Sequence, residues 1–241
     1  MKIKIATMTG ANDLTVHSDL DMLSQHYPFV EWGILVSQSQ TGSARFPKHE
    51  WIRDFTRLNM SIKKSLHVCG KWVRDICAGD WTLPKGLVDW RRFQRVQLNF
   101  HACSHTVTEE CLMMLRAKSN DTHDGDKEHQ FILQLDGVND AILEKMRAYP
   151  IDAVPIFDKS GGAGVVPDSW PKPFPGMLCT YAGGLGPDNL KDELKRIEEV
   201  VGDAEIAVDM ERKIRSTDDE IFDLKKVEKC LKAIRPYTDF A

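Results

Sequence analysis

Two stretches of this 241-residue chain place glycines where an anion can be held: FDKSGGAG at 157–164 and YAGGLGPDNL at 181–190. Glycines after an apolar run leave backbone N–H groups uncovered, and such groups bind phosphate because no side chain holds the oxyanion away. Asp158 stands at the lip of the first stretch, where a carboxyl can act as a proton donor to whatever the N–H groups hold. Either stretch alone is equally an ordinary turn that needs positive φ. Their succession after neighbouring apolar runs favours two walls of one anion site, with Gly161, Gly162 and Gly164 on one side and Gly183 and Gly184 on the other.

Proton transfer needs a second group. His67 and Cys69 close the run IKKSLHVC two residues apart, so an extended backbone puts both on one face. A histidine accepts protons near neutral pH. The alternation is equally satisfied with both turned away, as a packed histidine and a helix-facing thiol. HACSH sets His101, Cys103 and His105 on alternating positions, which could aim three metal ligands one way, but no fourth ligand is evident nearby. No metal and no cofactor is expected.

Apolar, β-branched runs alternate along the chain with amphipathic, charged stretches, the rhythm of parallel strands and covering helices. Strands are predicted at 3–9, 31–37, 62–69, 95–100, 130–135, 153–158, 177–183 and 205–211, and eight is the number that closes a barrel. Helices are predicted at 13–26, 48–58, 71–78, 107–117, 138–148, 188–201 and 223–234. The gap after the sixth strand, VVPDSWPKPFPG, holds four prolines, so the sixth helix of an α/β (β/α)8 TIM barrel is reduced or missing. Residues 79–93 and 118–129 read as excursions from the barrel. A barrel gathers its strand ends on one face. That brings together Thr7, Thr9, the 37–45 segment, His67, Cys69, Asn99, His101, Asp136, Asp158, the two glycine turns and residues 209–215.

Composition bounds the rest. With 42% hydrophobic residues, the chain has material for one core and is expected to fold as a single domain over 1–241. A net charge of −4 with mixed signs throughout gives no basic field, so no nucleic acid is expected as a partner. No run approaches a membrane span, so no membrane association is expected and the protein should be cytoplasmic. Six cysteines without a CxxC pair read as reduced, mostly packed thiols.

On the motifs KIKIATMTG, GSARF, RVQLNF, FDKSGGAG, YAGGLGPDNL and VDMERKIRSTDDEIFDLKKVEKCL, in that order, the chain resembles the phosphoribosylanthranilate isomerase family over nearly its whole length. That family is a (β/α)8 barrel performing an Amadori rearrangement in tryptophan biosynthesis. An aspartic acid protonates the ribose ring oxygen and a cysteine removes the proton at the neighbouring carbon. The resemblance implies a phosphorylated sugar as small-molecule partner and an isomerase of the intramolecular oxidoreductase type. It implies that Asp158 is the general acid, that Gly161, Gly162, Gly183 and Gly184 seat the phosphate, that Arg45 holds a substrate carboxylate, and that Asp209 is the acidic residue ending strand eight. Three positions differ. Ala6-Thr7 stands where the family has cysteine-glycine, Asn99 stands where it has histidine, and Arg212 and Lys213 replace the serine-glycine pair of the phosphate site. Those two cations can still grip phosphate by charge. The expectation is a sugar-phosphate site whose reaction either finds another base, with His67 and Cys69 as candidates, or has been lost to a purely binding role. Oligomeric state stays open.

Overall fold

The computed structural model describes residues 1–58, 62–78, 80, 90–99, 108–119, 129–135, 141–149, 151–158 and 163–240. Gly161, Gly162, Asp136, the HACSH segment and most of both excursions lie outside them.

Eight strands form one closed, all-parallel barrel in sequence order. They are β1 (Lys2–Thr9), β2 (Val30–Ser37), β3 (Lys64–Cys69), β4 (Arg95–Leu98), β5 (Gln130–Leu135), β6 (Ala153–Phe157), β7 (Cys179–Tyr181) and β8 (Glu205–Met210). Closure is made by β1 on β8, in register from Lys2 opposite Glu205 to Met8 opposite Met210, with one irregularity between Ile3 and Ile5. Between the strands run α1 (His17–His26), α2 (His49–Leu58), α3 (Lys71–Cys77), α4 (Glu109–Ser119), α5 (Ala141–Ala148), α6 (Leu190–Val201) and α7 (Leu224–Ile234).

The elements sit close to where periodicity predicts them, and the shifts have local causes. The first helix starts at His17 and not at 13, because Asn12 forms a side-chain turn. Its Oδ1 accepts from Leu14 N at 3.2 Å and from the Thr15 hydroxyl at 3.3 Å, which competes with helical pairing. At the other end of the chain, Asp223 caps α7 by accepting from Lys225 N and Lys226 N. Helix α6 buries Leu190, Leu194, Ile197 and Val201, one face at helical spacing, and stops at Gly202 with φ +58°.

No helix lies between β6 and β7 among the described residues, as the four prolines require. The segment 163–178 covers that sector as coil and is pinned by side chains. Trp170, 5% exposed, donates its indole N–H to Glu193 of α6 at 2.9 Å, and Tyr181 donates its hydroxyl to Pro171 O at 2.9 Å.

The main hydrophobic core lies between barrel and helices. It takes one face of each strand, such as Ile3, Ala6 and Met8 of β1 and Ile206, Val208 and Met210 of β8. The lumen is different. A small apolar group of Ile132, Val154, Ile156 and Ala182 fills one side, while buried polar residues fill the other. There Glu31 accepts from the Thr7 hydroxyl at 2.9 Å and from Arg95 at 3.1 Å, and Arg95 also donates to Gln130 at 3.0 Å. Among the described residues, no helix is long and apolar enough to cross a membrane.

Candidate functional site

The two glycine turns adjoin at the C-terminal mouth of the barrel. Gly164, Gly183 and Gly184 all have positive φ, at +73°, +111° and +62°. A Cβ on Gly184 would lie 2.6 Å from Val166 N and 2.7 Å from Gly164 O, so the turn after β7 packs backbone to backbone on the turn after β6. A Cβ on Gly183 would lie 3.7 Å from the Asp158 carboxylate, which sets that acid beside the junction. The short helical turn after β8, Arg212–Ile214, supplies a third wall. A Cβ on Gly186 would sit 2.2 Å from Lys213 Cβ, and one on Gly164 would sit 3.4 Å from the Arg212 stem.

Between these walls is a narrow cleft, lined by Asp158, Gly164, the segment from Ala182 to Leu185 and the segment from Asp209 to Lys213. It meets a wider compartment that shares Asp158, Asp209, Glu211 and Arg212 and adds Arg45, Cys69, Asn99 and Gln134. The narrow part is rich in backbone and cations. The three carboxyl groups of Asp158, Asp209 and Glu211 line both parts, and the wide part adds the Arg45 guanidinium.

Those carboxyls differ in surroundings. Asp158 accepts from Gln134 Nε2 at 3.1 Å. Asp209 is 8% exposed, and burial pushes its carboxyl up to about 8, against the opposing pull of the Thr9 hydroxyl that donates to it at 2.8 Å. The charges of Glu211, Asp158 and Glu31 add to the rise. Asp209 therefore keeps its proton at neutral pH. Burial also raises the Glu211 carboxyl, although the Arg45 guanidinium draws it back. Arg45 is ion-paired to Glu211 and, through Nε, to Asp219 at 3.1 Å.

Cys69 and His67 share a face, as alternation requires, but end in different places. Cys69 lines the wide compartment, and its Sγ accepts from Asn99 Nδ2 at 3.0 Å while Asn99 Oδ1 accepts from Gln97 at 2.8 Å. His67 is 1% exposed and lies deeper, its Nε2 2.9 Å from the Ser65 hydroxyl. Its ring fills space left by Gly33, where a Cβ would approach within 2.9 Å of it. Burial, aided by the Arg95 charge, pulls the imidazole down to about 3, so it is neutral and enclosed. Ala6 packs in the outer core with Met8, and the residues that β1 turns into the lumen are Thr7 and Thr9. Position 6 thus has no line to the cleft.

The structure draws together Asp158, Gly164, Gly183, Gly184, Asp209, Arg212 and Lys213, with Arg45 and Cys69 on the wider side. Sequence reasoning gave no role to Gln134 or Glu211. Glu211 is two residues after Asp209 and Gln134 two before Asp136, so strict alternation was the signal for both. Among the described residues no group of three or more His, Cys, Asp or Glu side chains is arranged to hold a metal ion.

Arg215 fixes the loops around this mouth. Its side chain is fully buried and donates to Gly10 O, to Ala44 O at 2.8 Å and to both the backbone and carboxylate of Asp219. One guanidinium thereby ties together the segments following β8, β1 and β2.

The chain matches no protein-family model, and no curated protein is similar enough to count as a relative. Its fold is shared by solved structures, among them three phosphoribosylanthranilate isomerases. N-(5'-phosphoribosyl)anthranilate isomerase from Pyrococcus furiosus superposes with a TM-score of 0.56 at 14% identity, covering 96% of this chain and 98% of that one. The phosphoribosyl anthranilate isomerase of Thermotoga maritima gives 0.53 at 12% identity with the same coverage. A phosphoribosyl anthranilate isomerase in complex with reduced 1-(o-carboxyphenylamino)-1-deoxyribulose 5-phosphate gives 0.55 at 13% identity, over 96% of this chain and 98% of that chain. At such identity the likeness is one of fold.

Proposed function

We propose that the cleft binds a phosphorylated sugar, with the phosphate on the paired glycine turns and the sugar extending past Asp158 into the wider compartment. The observation that carries this reading is the back-to-back packing of Gly184 on the 164–166 backbone with the Asp158 carboxylate alongside. Positive-φ glycines at a strand-end junction leave N–H groups and space that any side chain would remove. Arg212 and Lys213 add charge at the same end. The bound phosphosugar analogue in one structure of the same fold supports the class of ligand.

On this reading Asp158 is the acid that serves the ligand. Asp209, protonated below about pH 8, is a second donor at the same junction. Cys69 is the cleft-lining sulfur that would accept a proton in its thiolate form, whereas His67 is enclosed below and held neutral. Removing one general acid or base typically lowers turnover by ~10²- to 10⁴-fold. If the barrel is an aldose-ketose isomerase, Asp158→Asn abolishes turnover and leaves ligand affinity within about threefold, because the amide keeps the side chain's shape.

A second reading, a sugar-phosphate-binding protein without turnover, is favoured by one observation. Ala6 lies in the outer core, so β1 presents only the hydroxyls of Thr7 and Thr9 to the lumen. Rescue of a tryptophan-requiring strain lacking phosphoribosylanthranilate isomerase separates the two. Growth that depends on Asp158 supports the enzyme, and no growth together with calorimetric binding of ribose 5-phosphate supports the binding protein. Absence of binding for ribose 5-phosphate and for inorganic phosphate would sink both.

A further inference from the structure

The wide compartment contains a guanidinium that is already occupied. Arg45 lines it, yet its Nη1 is paired with Glu211 and its Nε with Asp219 at 3.1 Å. A guanidinium in a cleft is the usual receptor for a ligand carboxylate, since its two N–H edges match the two oxygens. Here a protein carboxylate holds that position from within. Glu211 gets there because residues 209 and 211 share a face at the end of β8, and its side chain is only 23% exposed.

Displacing Glu211 would be costly. The released carboxylate would stay in a compartment it shares with Asp158 and Asp209, with burial already working against its charge. An entering carboxylate would bring a further negative charge to the same place. At the narrow end the same carboxyls are present, but there Arg212, Lys213 and the glycine backbone offset them for a phosphate, and no protein carboxylate has to be displaced from Arg45.

We propose that Glu211 is a specificity-determining residue: by occupying Arg45 from inside the protein, it excludes ligands bearing a carboxylate opposite the phosphate and admits sugar phosphates whose other end is uncharged. The inference deepens the proposed function and rests on the phosphate site assigned there.

The test is calorimetry on the whole chain with a matched pair, a reduced 1-phenylamino-1-deoxypentulose 5-phosphate and its ortho-carboxy counterpart, and with inorganic phosphate as a third ligand. Wild type should bind the carboxy compound about tenfold or more weakly than its partner, the scale of one charge-assisted contact. Glu211→Gln should close or reverse that gap, read as the ratio of the two affinities in the same variant. Asp219→Asn leaves the Glu211 pair in place and should keep the gap. Equal or tighter binding of the carboxy compound by wild type overturns the proposal whether or not the variants fold, as does a gap that persists in Glu211→Gln. Binding of phosphate without discrimination overturns the specificity role alone, whereas failure of all three ligands to bind wild type overturns the phosphate site as well.

Discussion

Asp209 and His67 are both enclosed near the axis of the barrel, and burial drives them in opposite senses. The carboxyl of Asp209 is raised to about 8 and the imidazole of His67 is lowered to about 3, so both are uncharged at neutral pH. The signs of their contributions to stability are therefore opposite. For Asp209 the folded protein holds the proton more tightly than the unfolded chain. Its contribution is fully present below about pH 4 and is lost as pH rises to about 8. For His67 the unfolded chain takes the proton first, so its contribution is present above about pH 6.5 and is lost as pH falls toward 3. Asp209→Asn keeps an acceptor for the Thr9 hydroxyl while removing the titration. Its melting temperature, relative to wild type, should rise progressively between pH 5 and pH 9. A constant difference across that range would show that Asp209 is ionised in the folded state.

At the scale of elements, the glycine turns make a sharper prediction than the strands do. Gly184→Ala places a methyl against backbone atoms at 2.6 and 2.7 Å that have no rotamer with which to move. Gly202→Ala has the same sign of φ, at +58°, but among the described residues no atom within 4 Å of the added methyl. The second change should cost about 1 kcal/mol from backbone strain alone. The first should cost several times that, and should weaken capture of ribose 5-phosphate, as denaturant melts and calorimetry will report. The same contrast explains what was legible in the sequence. Strand and helix positions follow from periodicity, and the loss of a helix before β7 follows from proline chemistry at 167, 171, 173 and 175. The adjacency of the two turns could be inferred, because successive strands in a barrel are neighbours. Which face β1 shows to the lumen could not. Motif alignment puts Ala6 at the place of a catalytic residue, but the side-chain contacts turn Thr7 and Thr9 inward. A one-residue change in phase reverses every side chain of a strand, and aligned letters carry no phase. The pairing of Arg45 with Glu211 was hidden for another reason: the partners are 166 residues apart and meet only through the closure of β8 on β1 and β2.

At the scale of the whole molecule, the buried pair of Glu31 and Arg95 spans the lumen from β2 to β4, with Thr7 of β1 and Gln130 of β5 attached. Its side chains are 1% and 5% exposed, and Arg95 Nη2 has no hydrogen-bond partner among the described residues. Breaking one member leaves a buried charge, so Glu31→Gln should cost about 3–5 kcal/mol in denaturant unfolding, while replacing both by apolar residues of similar volume should recover most of the loss. Recovery would identify the pair as a source of specificity in barrel assembly more than of net stability. The far side of the barrel has a consequence of its own. Lys2 is 2.5 Å from Asp239, Lys4 is 3.2 Å from the same carboxylate, and Phe29 stacks on Phe240 at 6.3 Å, so the segments at 2–4 and 239–240 lie side by side, away from the cleft. A few added residues would splice them. Reopening the resulting ring at the exposed Gly202–Asp203 bend, in the connection that enters β8, would give a polypeptide that begins with its eighth strand and keeps all eight barrel strands in the same spatial order.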